Sequence, residues 1–270
     1  MTIHPFDLAI ALSPTSEGVF QGATSAAYAN MVGPFGGLTA ATVVNAVLQH
    51  PALLGEPVAL TVNFCAALAD GAFTVRTTPV RTNRSTQHWS VDITQGDDPQ
   101  PVLTATLVTA VPRNTWARND SPAPAVAPAD ALPAPRMKPP VPWIGQYDWR
   151  FVQGMLPMVW EGQEAEANSL LWVRDAQPRA LDLLSLTAMA DVFFPRVWLA
   201  RATRVPAGTV SMTVYYHASA EDLAAEPSAW LLAQARAQAF AHGFADQSGQ
   251  LWSASGRLLA STHQTQYYKE

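Results

Sequence analysis

The chain of 270 residues has a single cysteine, Cys65, so it holds neither an internal disulfide nor a paired-cysteine metal knuckle. Charge is scarce as well: Asp, Glu, Lys and Arg make up 14% of the residues, against about 25% in ordinary globular chains. No cluster of Lys and Arg occurs and the net charge is −5. This argues against nucleic acid or an anionic membrane as the main partner. No run approaches about 20 apolar residues, so a membrane-spanning helix is not expected. The opening segment has no basic stretch, and Asp7 interrupts its short apolar run, which gives no signal-peptide pattern and leads us to expect a cytoplasmic protein. GxSxG, HExxH, GxGxxG and P-loop patterns are missing too. No metal or cofactor is expected.

Apolar residues are abundant, at 49%, enough for a full core. With so little charged surface, self-association into a homo-oligomer is expected. Eight of the 22 residues at 121–142 are proline, which suits an extended connector and excludes a helix. The expected organisation is a domain over 1–120, a linker over 121–142 and a second domain over 143–270.

The two halves read alike. PVALTVNF (57–64) and TVSMTVYY (209–216) share an alternating pattern, with Val58, Thr61 and Val62 set against Val210, Thr213 and Val214. A helix precedes each strand. Gly37, Ala40, Ala41, Val44, Val47 and Leu48 share one face and Pro51 ends the first helix. Leu183, Leu184, Thr187 and Ala188 share a face of the second, with Pro195 as its stop. Further alternating segments follow in both halves, with turns expected at Gly96–Pro99 and Asp246–Gly249. One helix followed by at least three antiparallel strands, given twice, predicts an α+β duplication whose sheets pair edge to edge.

Where the halves diverge, chemistry is expected. Thr209 stands against Pro57, and the shared LxxT pattern of Leu103–Thr106 and Leu259–Thr262 sets Gln264 against Val108. Asp191 continues the apolar helix stripe at an end where the helix dipole disfavours an anion. A frayed last turn or a pairing with Arg196 are the plainer accounts of Asp191, and both stay open at this point. Taken singly, Thr209 and Gln264 fit ordinary strand positions. Cys65 falls in a strand pattern and reads as an inert sheet or core residue. His263 should face away from Gln264, as strand neighbours do.

The helix LTAMADVFFP, the strand TVSMTVYYH, the closing hairpin GFADQSGQLWSASGRLLASTHQ and the opening GPFGGLTAATVV, in that order, resemble type II acyl-CoA thioesterases. These are built as a double hotdog, and the resemblance runs from about Val19 onward. It implies an acyl-CoA substrate and a water-orienting set at Asp191, Thr209 and Gln264. Ser211 and Met212 replace an Asp-His pair found in members of that family, and the flank YYHASA lacks its Arg-Pro, which bears on substrate choice. Backbone N–H groups at Gly36 and Gly37 are the candidate oxyanion donors. Trp143, Trp149, Trp160 and Trp172 are candidates for an acyl tunnel. Arg81, Arg84, Arg196, Arg201 and Arg204 are candidates for phosphate contacts. Hydration chemistry is disfavoured because Arg196, not histidine, lies five residues after Asp191. The competing expectation is an acyl-group binding protein without turnover.

Overall fold

A computed structural model describes residues 3–136, 139–157 and 159–270. In chain order the elements are α1 (Pro5–Ala9), β1 (Ser13–Ser16), β2 (Val19–Ala23), α2 (Gly36–Leu48), β3 (Glu56–Phe64), β4 (Ala72–Thr82), β5 (Thr86–Thr94) and β6 (Leu103–Ala110). After the proline-rich stretch come β7 (Tyr147–Gln153), β8 (Ser169–Asp175), α3 (Leu183–Met189), α4 (Arg196–Arg201), β9 (Ala207–Tyr216), α5 (Ala220–Ala224), β10 (Leu231–Arg236), β11 (Phe240–Ala241), β12 (Phe244–Ser253) and β13 (Leu258–Tyr268). No helix among the described residues is long and apolar enough to cross a membrane.

All strands join one antiparallel sheet in the order β1-β2-β4-β5-β6-β3-β9-β13-β12-β10-β8-β7, with β11 paired to β12. Read from each outer edge inward, the two halves share one topology: two strands before the helix, then the third-formed strand placed innermost. The halves meet where β3 pairs with β9, which is the expected edge-to-edge join. At the centre of this seam Thr61 faces Thr213, and their hydroxyls share a 3.0 Å hydrogen bond. Ala59 pairs with Tyr215 and Asn63 with Ser211, so an approximate two-fold axis passes through the threonine pair. The sequence match of Thr61 with Thr213 thus marks the symmetry axis.

The helices α2 and α3 pack on each other inside the curved sheet. Ten of the thirteen α2 residues are buried, because a helix enclosed by sheet on most sides needs apolar residues nearly all round. Leu38-Thr39-Ala40 in α2 and Leu186-Thr187-Ala188 in α3 are equivalent turns: each threonine hydroxyl donates to the carbonyl four residues back, on Phe35 and Leu183. Helix α2 ends at Leu48, two residues before His50-Pro51, as the sequence indicates. Helix α3 is shorter than expected. It begins with an Asp182–Ser185 capping box and ends by Ala190, so Pro195 does not stop it but opens α4 instead. Leu184 is only partly buried, while Ser185 and Met189 face the core.

The turn expected at Asp246–Gly249 is also absent, since these residues lie within β12. Asp246 accepts backbone N–H bonds from Gln238 and Ala239. Gly249 serves close packing, because a Cβ there would meet Thr262 at 2.9 Å and the Phe193 ring at 3.2 Å. The real reversals are at His242-Gly243 and around Gly256, all at positive φ. The strands β1, β2, β7 and β8 lie outside the segments expected from the alternating pattern.

The proline-rich segment lies against the outer face of the second half. Ala123, Val126, Ala129 and Leu132 pack with Trp172, Trp230 and Trp252. The Trp172 and Trp252 indole N–H groups donate to the carbonyls of Ala127 and Ser121, at 2.9 and 2.8 Å. Proline removes backbone donors, and an extended strap that does not extend the sheet has little use for them.

Candidate active site

Asp191 follows α3 directly and is buried. Neither plainer account of it holds: it is not frayed into solvent, and Arg196 does not pair with it. Arg196 is itself fully buried and gives its donors to the carbonyls of Phe194 and Ala167 and to Ser169 Oγ. Burial pushes its guanidinium pKa down to about 9.

The carboxylate of Asp191 crosses between the halves. Gln264 Nε2 on β13 donates to Asp191 Oδ1 at 2.7 Å, and the nearby backbone N–H of Gly37 favours the charged carboxylate. Helix α2 has no side-chain cap of its own, its cap residue being Phe35. Asp191, supplied by the other half, fills that place and meets the positive end of the α2 dipole. Gly36 leaves room for it: a Cβ there would lie 2.8 Å from Asp191 Oδ2. A Cβ at Gly37 would lie 2.3 Å from the Ala188 carbonyl, so that glycine permits the close crossing of α2 and α3. Burial outweighs these contacts and raises the Asp191 pKa to about 7.

Thr209 Oγ1 donates to Gln264 Oε1 at 3.0 Å, and Gln266 Nε2 donates to the same oxygen at 3.3 Å. With two donors on its oxygen, the Gln264 amide must present its nitrogen to Asp191. Gln266, whose own Oε1 accepts the Arg196 backbone N–H at 3.2 Å, was not among the sequence candidates. Its spacing of two from Gln264 on one strand was the available signal. Asp191, Thr209 and Gln264 are therefore linked in a chain through Gln264.

Strict alternation would turn Thr209 outward, because Met212, Val214 and Tyr216 face inward. A β-bulge corrects this. Thr265 pairs with Ser211 but Gln266 pairs with Thr209, which leaves Val210 unpaired and 36% exposed and brings Thr209 to the inner face. The first half has the same bulge at Val58, 38% exposed, between Pro57 and Ala59. The ladders also correct the LxxT alignment by one residue. Leu60 pairs with Leu107 as Met212 pairs with Gln264, so Gln264 corresponds to buried Leu107, not to Val108. Together with the equivalence of the two Leu-Thr-Ala turns, this places Val43, Pro57 and Leu107 where the second half has Asp191, Thr209 and Gln264. The polar set occurs once per chain.

A cleft of about 880 Å³ opens over Asp191, Thr209 and Gln266 and is walled by both halves. Its lining is mainly apolar and includes Phe35, Phe64, Leu68, Phe193, Phe194 and Trp198. Gly36 lines it and Gly37 does not. Of the four candidate tryptophans, Trp143 and Trp160 line the cleft. Trp149 instead stacks on Phe151 and Phe194 in the core, and Trp172 belongs to the outer layer under the strap. Among the candidate arginines Arg204 alone lines the cleft. Cys65 follows β3, is exposed and borders the cleft, and so is not the inert sheet or core position expected. His263 is exposed and lies 3.5 Å from Asp246, on the face opposite Gln264.

Two family models match, described as the acyl-CoA thioesterase N-terminal domain over residues 25–110 and the acyl-CoA thioesterase C-terminal domain over residues 119–268. No curated protein matches in sequence. Among solved structures, a conserved hot dog protein of unknown function from Alicyclobacillus acidocaldarius is 42% identical, with a TM-score of 0.93 over 100% of this chain and 99% of that one. A putative thioesterase II from Thermobifida fusca is 21% identical, with a TM-score of 0.83 over 100% and 99%. An acyl-CoA thioesterase II from Mycobacterium marinum is 17% identical, with a TM-score of 0.76 over 98% of each chain. The fold is a double hotdog, and the chain belongs to the acyl-CoA thioesterase family.

Proposed function

We propose that the protein hydrolyses an acyl-CoA to the free acid and coenzyme A, with Asp191 as the general base. The observation that carries this reading is a buried carboxylate with a pKa of about 7 on the floor of an apolar cleft. A base of that strength is half-ionised near neutrality and takes a proton readily. Asp191 draws a proton from water as the water oxygen attacks the thioester carbonyl carbon. The C–S bond then breaks, and the proton held by Asp191 goes to the departing sulfur. Gln264 fixes the carboxylate, and Thr209 with Gln266 fixes Gln264, so these amides and the hydroxyl act by positioning. Gly36, beside the carboxylate and bordering the cleft, lets the carbonyl oxygen approach the α2 N-terminus.

The test is thiol release from an acyl-CoA panel running from acetyl to palmitoyl, with a phenylacetyl ester added. Wild type and Asp191→Asn are compared with folding checked by circular dichroism. Loss of about 10²–10⁴ in kcat is expected for removal of a general base. Full activity in the folded variant would overturn the assignment. Thermal stabilisation by esters without turnover would point instead to an acyl-binding protein.

A further inference from the structure

We propose that Arg204 and Lys269 form a cationic rim that reads the phosphate-bearing handle of the thioester; this rests on the hydrolase reading above. A chain of net charge −5 repels a polyanionic substrate at long range, so the entrance needs local positive charge. Arg204 lines the cleft, and its guanidinium lies 4.6 Å from the centre of the Trp160 ring. Lys269 Nζ lies 5.7 Å from the centre of the Tyr267 ring. Both rings line the same cleft. The Lys269 N–H donates to the Pro206 carbonyl at 2.9 Å, which holds the two segments side by side.

Among the described residues neither cation is ion-paired with a carboxylate. Arg201, close by, pairs with Glu270, and Arg196 is sealed in the core with its donors taken. The neighbouring carboxylates are Glu270, held by Arg201, and Glu161, next in sequence to Trp160. Placement over aromatic rings holds both cations at the cleft, with guanidinium and ammonium N–H groups left to meet oxygen ligands. At most about 18 Å of extended chain separates Arg204 from Thr209, a span that a pantetheine arm can bridge while its thioester reaches Asp191. The phosphates are those of free coenzyme A or of the phosphopantetheine arm on a carrier protein.

The experiment measures kcat/KM for one acyl group on three thiols: coenzyme A, a phosphopantetheinylated carrier protein, and phosphate-free N-acetylcysteamine. Wild type, Arg204→Ala/Lys269→Ala and the charge-keeping Arg204→Lys are compared. In the double variant the ratio of the phosphate-bearing to the phosphate-free ester is expected to fall at least about tenfold, the loss of one charge-assisted contact. The loss should reside in KM, and Arg204→Lys should restore most of it. The phosphate-bearing ester that suffers this fall names the handle. An unchanged ratio, or equal losses on all three esters, would overturn the rim. Wild type inactive on every ester would overturn the hydrolase reading itself.

Discussion

Asp191 sets two opposing demands on one side chain. Its carboxyl ionises near 3.8 in an unfolded chain and near 7 in the folded one, so the native state holds the proton more tightly. Its contribution to stability is complete below about pH 3.8 and is lost as pH rises through about 7. Activity should move the opposite way, with kcat climbing through the same window as the base ionises. Asp191→Asn should therefore melt above wild type at about pH 8, with the gap narrowing toward about pH 5, as read by thermal unfolding across pH. The adjacent glycines divide their effects. Gly36→Ala should reduce kcat in a folded protein, since its methyl meets Asp191 Oδ2. Gly37→Ala should lower the melting temperature, since its methyl meets backbone in the helix crossing. Thr209 and Gln264 were legible in the sequence as polar positions set against apolar ones, and Asp191 as a carboxylate on an apolar helix stripe. Gln266 was not, because its counterpart Thr109 is also polar and buried and offers no contrast.

At the scale of elements, the unforeseen feature is the bulge at Val210. No residue type marks it, and the alternation on either side reads as a normal strand. It becomes visible only through the ladder with β13 and its repetition at Val58. Deleting Val210 removes the unpaired residue and leaves Thr209 opposite Gln266 on the inner face of a regular strand. The deletion should then retain far more kcat than Thr209→Ala, and Val210→Thr, which keeps the bulge, should stay near wild type. The long buried α2 was easy to read from its apolar content. The end of the short α3 is not legible in the sequence, because Ala190 is a good helix former and Pro195 a plausible stop. Directly after α3, Asp191 lies against the start of α2, a tertiary contact that no local pattern encodes. The expected turn at Asp246–Gly249 failed for a related reason: a glycine placed for tight packing looks like a turn glycine in one dimension.

For the whole molecule, the β3–β9 seam decides whether the cleft exists, since its walls come from both sides of it. Like charges placed directly opposite in a sheet repel. Thr61→Asp/Thr213→Asp should thus be less stable than the sum of its single variants, while Thr61→Asp/Thr213→Lys should recover, as measured by denaturant unfolding. The edge-to-edge join was readable because the halves match in order and in register. The strap over Trp172 and Trp252 was not, because a proline-rich sequence shows that a segment is extended but not where it lies. The loan of a helix cap from one half to the other has a hereditary consequence. Two separate identical copies pairing about the same axis would carry every substitution twice, so a carboxylate and its receiving glycines would have to share one sequence. Covalent union removes that constraint. Each half can then specialise, one as host and one as donor, with buried apolar residues at the equivalent positions Val43 and Leu107. A chain of this kind should turn over with a stoichiometry of one site per polypeptide, and its ancestor, if unfused, with two per pair.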